Sequence, residues 1–341
     1  MTLNVALIGA GMVAKTHVDA IKDASSVELS GLLARRAKSA ERFAQDIESG
    51  AKIYESIQEI ASDPALDFAI VATPPNARLD LIRPLAEAGK PILLEKPVAR
   101  TLAEATEVVE LCESHAVPLG IVFQHRMREA SLKAKQLIDG GTLGALGFAE
   151  LNVPWWREQG YYDEPGRGTY ERDGGGVLIS QAIHTIDLAL SLTGPVSKVQ
   201  AMTGRTRFHD MESEDVANAG LTFVNGALGF LTASTASFPG GAETITLHHE
   251  NASLHLGSGV LTVTWRDGRT DTFGASATTG GGADPMAFTH GWHQSIIEDF
   301  ADAIQTNRPP AITGRAALDS HRLIDAITRS SNLEKAVEVS L

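Results

Sequence analysis

The sequence predicts an α/β chain that opens with a doubly wound, mostly parallel sheet and continues into a strand-rich second half. Three observations carry that prediction. Short apolar runs alternate with helical patterns through residues 1–124. The first run, LNVALI at 3–8, stops abruptly at Gly9-Ala10-Gly11. Beyond residue 147, strand patterns follow one another and are joined by the hairpin turns Val-Asn-Gly and Arg-Asp-Gly.

Taken in order, LNVALI is followed by a helical pattern from Met12 to about Ile21 and by a second strand, VELSGLLA at 27–34, which together make a βαβ unit. The turn between strand and helix reads G-A-G-M-V-A, a dinucleotide fingerprint with alanine as its last small residue. Its glycines permit a tight turn and let the backbone approach a pyrophosphate seated on the helix N-terminus. Gly9, Gly11, Met12 and Val13 are therefore candidate cofactor contacts, and their place between strand and helix makes the motif specific. The second strand ends in Ala34-Arg35-Arg36-Ala37-Lys38, with no carboxylate to bond a ribose 2′-hydroxyl. Arg35 and Arg36 suit a 2′-phosphate, so NADP is expected in preference to NAD.

DFAIVATPPNA at 67–77 reads as a buried strand ending at Thr73-Pro74-Pro75, with Thr73, Pro74 and Asn76 as further cofactor candidates. A helix from about Arg78 to Ala88 is closed by Gly89, and PILLEKP at 91–97 is the next strand. Glu95 and Lys96 stand at its carboxyl end, where ligands of open α/β sheets bind. A helix at 101–115 and the strand PLGIVFQ at 118–124 complete the pattern. In the second half, 148–153, 196–204, 217–236, 243–249 and 260–273 read as strands, and helices at about 291–306 and 315–331 close the chain. The stretch GASATTGGGAD at 274–284 reads as an exposed loop without chemistry.

Composition narrows the function. The chain has 341 residues, 43% hydrophobic and 21% charged, which is ordinary for a folded two-domain protein. A formal net charge of −13 argues against nucleic acid or an anionic membrane as partner. Cys112 is the only cysteine, which excludes an intrachain disulfide and a cysteine-rich metal site. The start VALIGAG leads into a glycine turn rather than a cleavage site, and no stretch has the length and apolarity of a membrane span, so a cytoplasmic setting is expected.

The segment GGGVLISQAIHTIDLAL at 174–190 sets three glycines before an apolar helix. Ser180, His184 and Asp187 recur at i, i+4 and i+7 and share one predicted face, with Ile179, Ile183, Ile186 and Leu190 on the other. A histidine so placed is either a packed core residue or a base facing a pocket. GAGMVA, EKP and GGG followed by H-x-x-D, taken jointly, resemble the glucose–fructose oxidoreductase and inositol dehydrogenase (Gfo/Idh/MocA) family of NAD(P)-dependent oxidoreductases.

The resemblance implies an N-terminal Rossmann domain at 1–124 and a C-terminal α/β domain at 125–341, built on a large, mainly antiparallel sheet that binds substrate and forms homodimers or homotetramers. It implies hydride transfer between a nicotinamide and a secondary alcohol or carbonyl of a sugar, sugar acid or cyclitol. Lys96 would lie beside the nicotinamide and the substrate hydroxyl, and His184 would be the acid–base. Ser180 departs from the aspartate that many members carry four residues before the histidine, which leaves Asp187 to orient His184 or contact the scaffold. Two other readings stay open: a catalytically weak sugar or redox sensor, and an oxidoisomerase that recycles a tightly held cofactor. Glycines 174–176 read as a close backbone approach to cofactor and substrate.

PWWREQGYYDEPGRGTYERD at 154–173 carries aromatic faces and polar donors suited to a sugar. From it Trp156, Tyr161 and Arg167 join Lys96, Gln124, Arg126, Ser180 and His184 as candidate substrate contacts. Packing between domains is the alternative role for its tryptophans. His290, Trp292 and His293 either close a pocket or begin a surface helix. His248 and His249 would point to opposite faces of a strand, and no histidine pair has a third ligand at metal spacing, so no metal is expected.

Overall fold

The computed structural model describes residues 2–277 and 288–340. The chain forms two compact units, the first from Met1–Gln124 with His290–Leu318, the second from His125–Thr289 with Asp319–Leu341. Of the expected loop at 274–284, residues 278–284 lie outside the described residues.

The first unit alternates β1 (Leu3–Ile8), α1 (Ala14–Asp23), β2 (Val27–Leu33), α2 (Ala37–Asp46), β3 (Lys52–Ile53), α3 (Ile57–Ser62), β4 (Phe68–Val71), α4 (Arg78–Glu87), β5 (Ile92–Glu95), α5 (Leu102–Ser114) and β6 (Leu119–Val122). All six strands are parallel in the order β3-β2-β1-β4-β5-β6. Every residue of β4, β5 and β6 is buried, because helices cover both faces of such a sheet; hence their apolar runs, which in β5 end at Glu95. The strand order reverses between β1 and β4, which opens a crevice at their carboxyl ends.

The second unit adds α6 (Glu129–Asp139), β7 (Leu146–Pro154), α7 (Gln159–Tyr162) and α8 (Ile183–Thr193). Then follow β8 (Val196–Gly204), β9 (Val216–Phe223), β10 (Leu228–Ser234), β11 (Thr244–His249), β12 (Ala252–Gly257), β13 (Val260–Trp265) and β14 (Thr270–Gly274). With β15 (Val337–Glu338) they form a nine-stranded sheet, β14-β13-β12-β11-β7-β10-β9-β8-β15, in which β7 and β10 are the parallel pair. The sequence reading passed over β12, although Ala252, Leu254 and Leu256 are buried at the alternate positions expected of a strand. α6 and α8 pack on this sheet, while Phe148, Met202, Leu228 and Phe230 stand exposed on its strands.

α9 (Gly291–Thr306) and the start of α10 (Gly314–Leu333) return to the first unit, whereas the sequence division gave everything after 124 to the second domain. The cause is the edge of the first sheet. β6 is its last strand, and Ile121 donates its N–H to the Ile312 carbonyl at 3.0 Å, while Gly120 and Thr313 form an antiparallel bridge. Phe300 of α9 lies edge-on to Phe68, ring centroids 5.5 Å apart, over the bare backbone of Gly120. Among the described residues no helix is long and apolar enough to cross a membrane.

A Cβ at position 120 would stand 2.7 Å from Cδ2 of Phe300. Gly120→Ala is expected to destabilise the protein by about 1–3 kcal/mol, read as a lower urea midpoint. An unchanged midpoint would show that α9 is not seated on β6.

Candidate active site

In the first unit the sequence-predicted cofactor residues gather at the carboxyl ends of the strands. Gly9 has φ +113°, and a Cβ there would meet the Ala72 carbonyl oxygen at 2.7 Å, so the close approach of β4 dictates glycine. Gly11 is different: no atom lies within 4 Å of where its Cβ would be. A pyrophosphate seated on the start of α1 needs room there, and nothing in the turn obstructs one. Met12 is exposed and Val13 half-buried next to it. Arg35 and Arg36 are exposed just past β2.

At the ends of β4 and β5, Thr73 and Lys96 are tied together by a residue the sequence reading took only as a helix start. The buried Arg78 guanidinium donates to the Thr73 carbonyl from Nε at 3.1 Å and Nη2 at 2.9 Å, and from Nη2 to the Lys96 carbonyl at 3.2 Å. Burial pulls Arg78 down to about 10, against the attraction of Glu95. Pro74 and Asn76 stay exposed on the loop after β4, and Lys96 is half-buried.

Glu95, expected at the cofactor, has its carboxylate buried instead. His17 Nε2 donates to Oε1 at 2.9 Å, His293 Nε2 lies 3.6 Å from the same oxygen, and the Lys96 N–H reaches Oε2 at 3.2 Å. Burial alone would raise the carboxyl, but the hydrogen bonds from the two histidines hold it well below its ordinary 4.5. His293 stands in the first turn of α9 but is 1% exposed, so it does not lie on the surface. The fold brings His17, Glu95 and His293 within 4.8 Å of one another, a grouping with metal-ligand chemistry that sequence spacing did not show.

In the second unit the last of the three glycines is fixed by a protein partner. A Cβ on Gly176 would stand 1.7 Å from the carbonyl oxygen of Glu214. That carbonyl accepts the Val177 N–H at 2.9 Å, and the Glu214 carboxylate accepts the N–H groups of Gly176 and Leu178, each at 3.1 Å. Glu214 therefore caps the orphan donors at this helix start, and burial raises its pKa against those bonds. The expected reason for the glycines, an approach to ligand, gives way at Gly176 to an approach between two backbones.

The helix also differs from the expected stripe. Leu178–Ala182 form a π turn, and α8 begins only at Ile183. A π turn bonds residues five apart, so four-residue spacing does not carry Ser180 onto the line of His184 and Asp187. From Gln181 to Leu190 every residue is buried. Polar side chains in such a helix need partners. Asp187 has one in Arg126, which donates from Nε at 2.7 Å and Nη2 at 2.6 Å, so two of the donors expected for a substrate are already engaged. Burial raises Asp187 even against that cation. The His184 ring stacks on His125, centroids 4.7 Å apart and planes at 24°. Beyond His125, Arg128 donates to Glu243 at 2.7 Å beside a cavity of about 20 Å³ that Ser131 and Thr185 also line, large enough for one water.

The 154–173 segment divides. Tyr161 accepts hydrogen bonds from Gln181 Nε2 at 3.2 Å and Arg167 Nη1 at 3.3 Å, which ties it to the turn before His184. Arg167 lies 4.6 Å from the centre of the Tyr161 ring and also bonds Glu164. Trp155 and Arg157 are buried, with the guanidinium 5.1 Å from the Trp155 ring centre. Trp156 joins instead an aromatic group with Phe208 and Phe238, both well exposed. Gln124 ends the first of the two segments that make up the first unit, buried after β6. His248 is half-exposed and His249 buried.

A six-stranded parallel sheet with an open glycine turn at its switch point, followed by a large mostly antiparallel sheet, defines a Rossmann-type dinucleotide-binding protein with a second α/β domain. Residues 3–123 match the model of the oxidoreductase family with NAD-binding Rossmann fold, and residues 131–255 match the GFO/IDH/MocA C-terminal domain. The chain belongs to this oxidoreductase family. It is 30% identical over 196 residues to the uncharacterized oxidoreductase C115.03 of Schizosaccharomyces pombe, covering 56% of this chain and 52% of that protein. It is 25% identical to the D-apiose dehydrogenase of Paraburkholderia graminis over 98% of this chain and 89% of that one. The solved WlbA dehydrogenase of Bordetella pertussis, in complex with NADH and UDP-GlcNAcA, is 26% identical with a TM-score of 0.85, covering 100% of this chain and 98% of that one.

Gly176→Ala should displace the Glu214 backbone and cost at least about 3 kcal/mol, or prevent folding. Gly160→Ala, with nothing within 4 Å of the added Cβ, should stay within about 0.5 kcal/mol. Thermal melts of the two variants compare them directly, and equal melting would contradict the close contact at 176.

Proposed function

We propose that the protein is an NADP-preferring dehydrogenase or reductase that oxidises a secondary alcohol, or reduces the matching carbonyl, on a sugar, sugar acid or cyclitol. The observation that carries this reading is His184, a buried histidine stacked on His125 and set just after a glycine-led π turn, in a family of NAD-binding oxidoreductases. π turns inside helices are frequent at functional sites.

In the oxidising direction neutral His184 accepts the proton of the substrate hydroxyl, and Lys96, at the end of β5, polarises that oxygen. A bound nicotinamide supplies the hydride acceptor. In the reducing direction His184 returns the proton to the carbonyl oxygen. Tyr161 and Arg167, joined by a hydrogen bond and linked through Gln181 to the same turn, offer hydroxyl and guanidinium contacts for a polyol or a sugar carboxylate. Ser180 adds a neutral hydroxyl where a carboxylate would be more usual. The sugar class is supported by the relatives, one a D-apiose dehydrogenase and one bound to UDP-GlcNAcA.

Arg35 and Arg36 support NADP over NAD, because both are exposed just past β2 where NAD enzymes place a carboxylate. The exposed Phe148, Met202, Leu228 and Phe230 on the large sheet support a homodimer or homotetramer formed there. A cytoplasmic setting agrees with a soluble nicotinamide cofactor and a single, buried cysteine.

Nicotinamide absorbance, followed across sugars, sugar acids and cyclitols with both cofactors, tests the reading. His184→Ala should lower kcat by about 100-fold or more while cofactor binding persists; a variant as active as wild type would remove His184 from the chemistry. Replacing Arg35 and Arg36 by alanine should cut kcat/KM for NADPH by roughly 10- to 100-fold and leave NADH within about 2-fold. Equal losses with both cofactors would refute the phosphate assignment.

A further inference from the structure

Glu95 closes β5 one residue before Lys96, and two elements far away in sequence hold its carboxylate. His17 sits in the first turn of α1, directly after the glycine fingerprint, and His293 in the first turn of α9. Both direct Nε2 at the same oxygen, at 2.9 Å and 3.6 Å, and their rings meet edge-on with centroids 5.1 Å apart and planes at 89°. Side-chain exposure is 0% for His17, 7% for Glu95 and 1% for His293, so the cluster is sealed from water.

Two simpler accounts of this cluster fall short. As a zinc site it would first have to open: ligand atoms on a tetrahedral zinc with bonds of about 2.0–2.1 Å stand about 3.3 Å apart, and His17 and Glu95 are hydrogen-bonded at 2.9 Å. As a device for stability it is poorly chosen, because apolar side chains of the same volume are often as stabilising as a buried ionic group. What hydrogen bonds to a buried carboxylate add over packing is direction. The Glu95 carboxylate is also tied to the Lys96 N–H at 3.2 Å, and Arg78 holds the Lys96 carbonyl at 3.2 Å. The backbone on both sides of Lys96 is thereby clamped.

We propose that His17, Glu95 and His293 are positioning residues that lock the end of β5 to α1 and α9 and so hold the Lys96 loop in place against the nicotinamide half of the cofactor. The proposal rests on the reading that this strand end faces the nicotinamide. The adenosine half would be held elsewhere, by the glycine turn and the arginines past β2. Loosening Glu95 therefore weakens one half of the cofactor and spares the other.

Calorimetry of NADH against ADP-ribose, and of NADPH against 2′-phospho-ADP-ribose, separates the halves. Wild type should bind each whole dinucleotide more tightly than its fragment. His293→Phe should keep fragment affinity within about 2-fold and lose about 10-fold for the whole dinucleotide, the range of one hydrogen bond to a charged group. His293→Gln, which can still donate to Glu95, should recover most of that loss. If His293→Phe does not fold, Glu95→Gln carries the same comparison with the same expected direction.

Unchanged dinucleotide affinity in a folded variant would overturn the proposal, and so would equal losses for dinucleotide and fragment, which mark a general structural role. Stoichiometric zinc binding by wild type that is lost in His293→Phe would replace it with a metal site. If wild type binds the whole dinucleotide no more tightly than the fragment, the placement of this strand end at the nicotinamide is itself wrong, and the proposal falls with it.

Discussion

A carboxylate taken out of water costs several kcal/mol unless cations or hydrogen-bond donors surround it. This chain buries several of its carboxylates next to the residues proposed for its chemistry, and much of its local geometry follows from how each is satisfied. Glu95 has His17 and His293 and precedes Lys96. Asp187 has Arg126, one turn after His184. Glu243 has Arg128, with His125 Nδ1 3.9 Å away and the His125 ring stacked under His184. Asp215 accepts from His209 at 2.7 Å and from Thr206, behind the aromatic segment. Removing a partner from any of these leaves a buried charge less well compensated, which is why such groups hold neighbouring backbone in one place.

Glycine enforces the same order by a different route. Gly9 admits β4, Gly120 admits Phe300, and Gly176 admits Glu214, each at a separation that a methyl group would not allow. Interiors packed near crystal density have no slack to absorb an extra carbon. Gly11 is the exception, since nothing in the protein occupies the space its side chain would take. The first three are fixed by what the fold packs against them, and Gly11 is not.

The difference sets the limit of what the sequence made legible. The fingerprint could be read because strand, turn and helix are contiguous and each has a local signature. The carboxyl ends of β4 and β5 were legible for the same reason. The role of Gly176 was not, because its partner Glu214 lies 38 residues on and carries no pattern that announces a cap. His17 reads as an ordinary helix residue, and Glu95 lies 78 residues away. The return of α9 to the first sheet depends on an edge strand that needs hydrogen-bond partners, a property of the assembled sheet rather than of any window of sequence. The π turn is hidden because helical periodicity assumes the spacing that a π turn breaks.

These features bear on how the two carboxylates near His184 divide their work. A histidine serving as a base is commonly oriented by a carboxylate, and by spacing alone Asp187 was a candidate. Its two oxygens are instead taken by the Nε and Nη2 donors of Arg126, with the Ser320 hydroxyl at 3.5 Å from one of them. Glu214 caps the turn that leads into α8. One carboxylate thus fixes where the helix begins and the other anchors its middle to Arg126, while the His184 ring lies stacked on His125. The backbone carrying the histidine is held from both sides by charge.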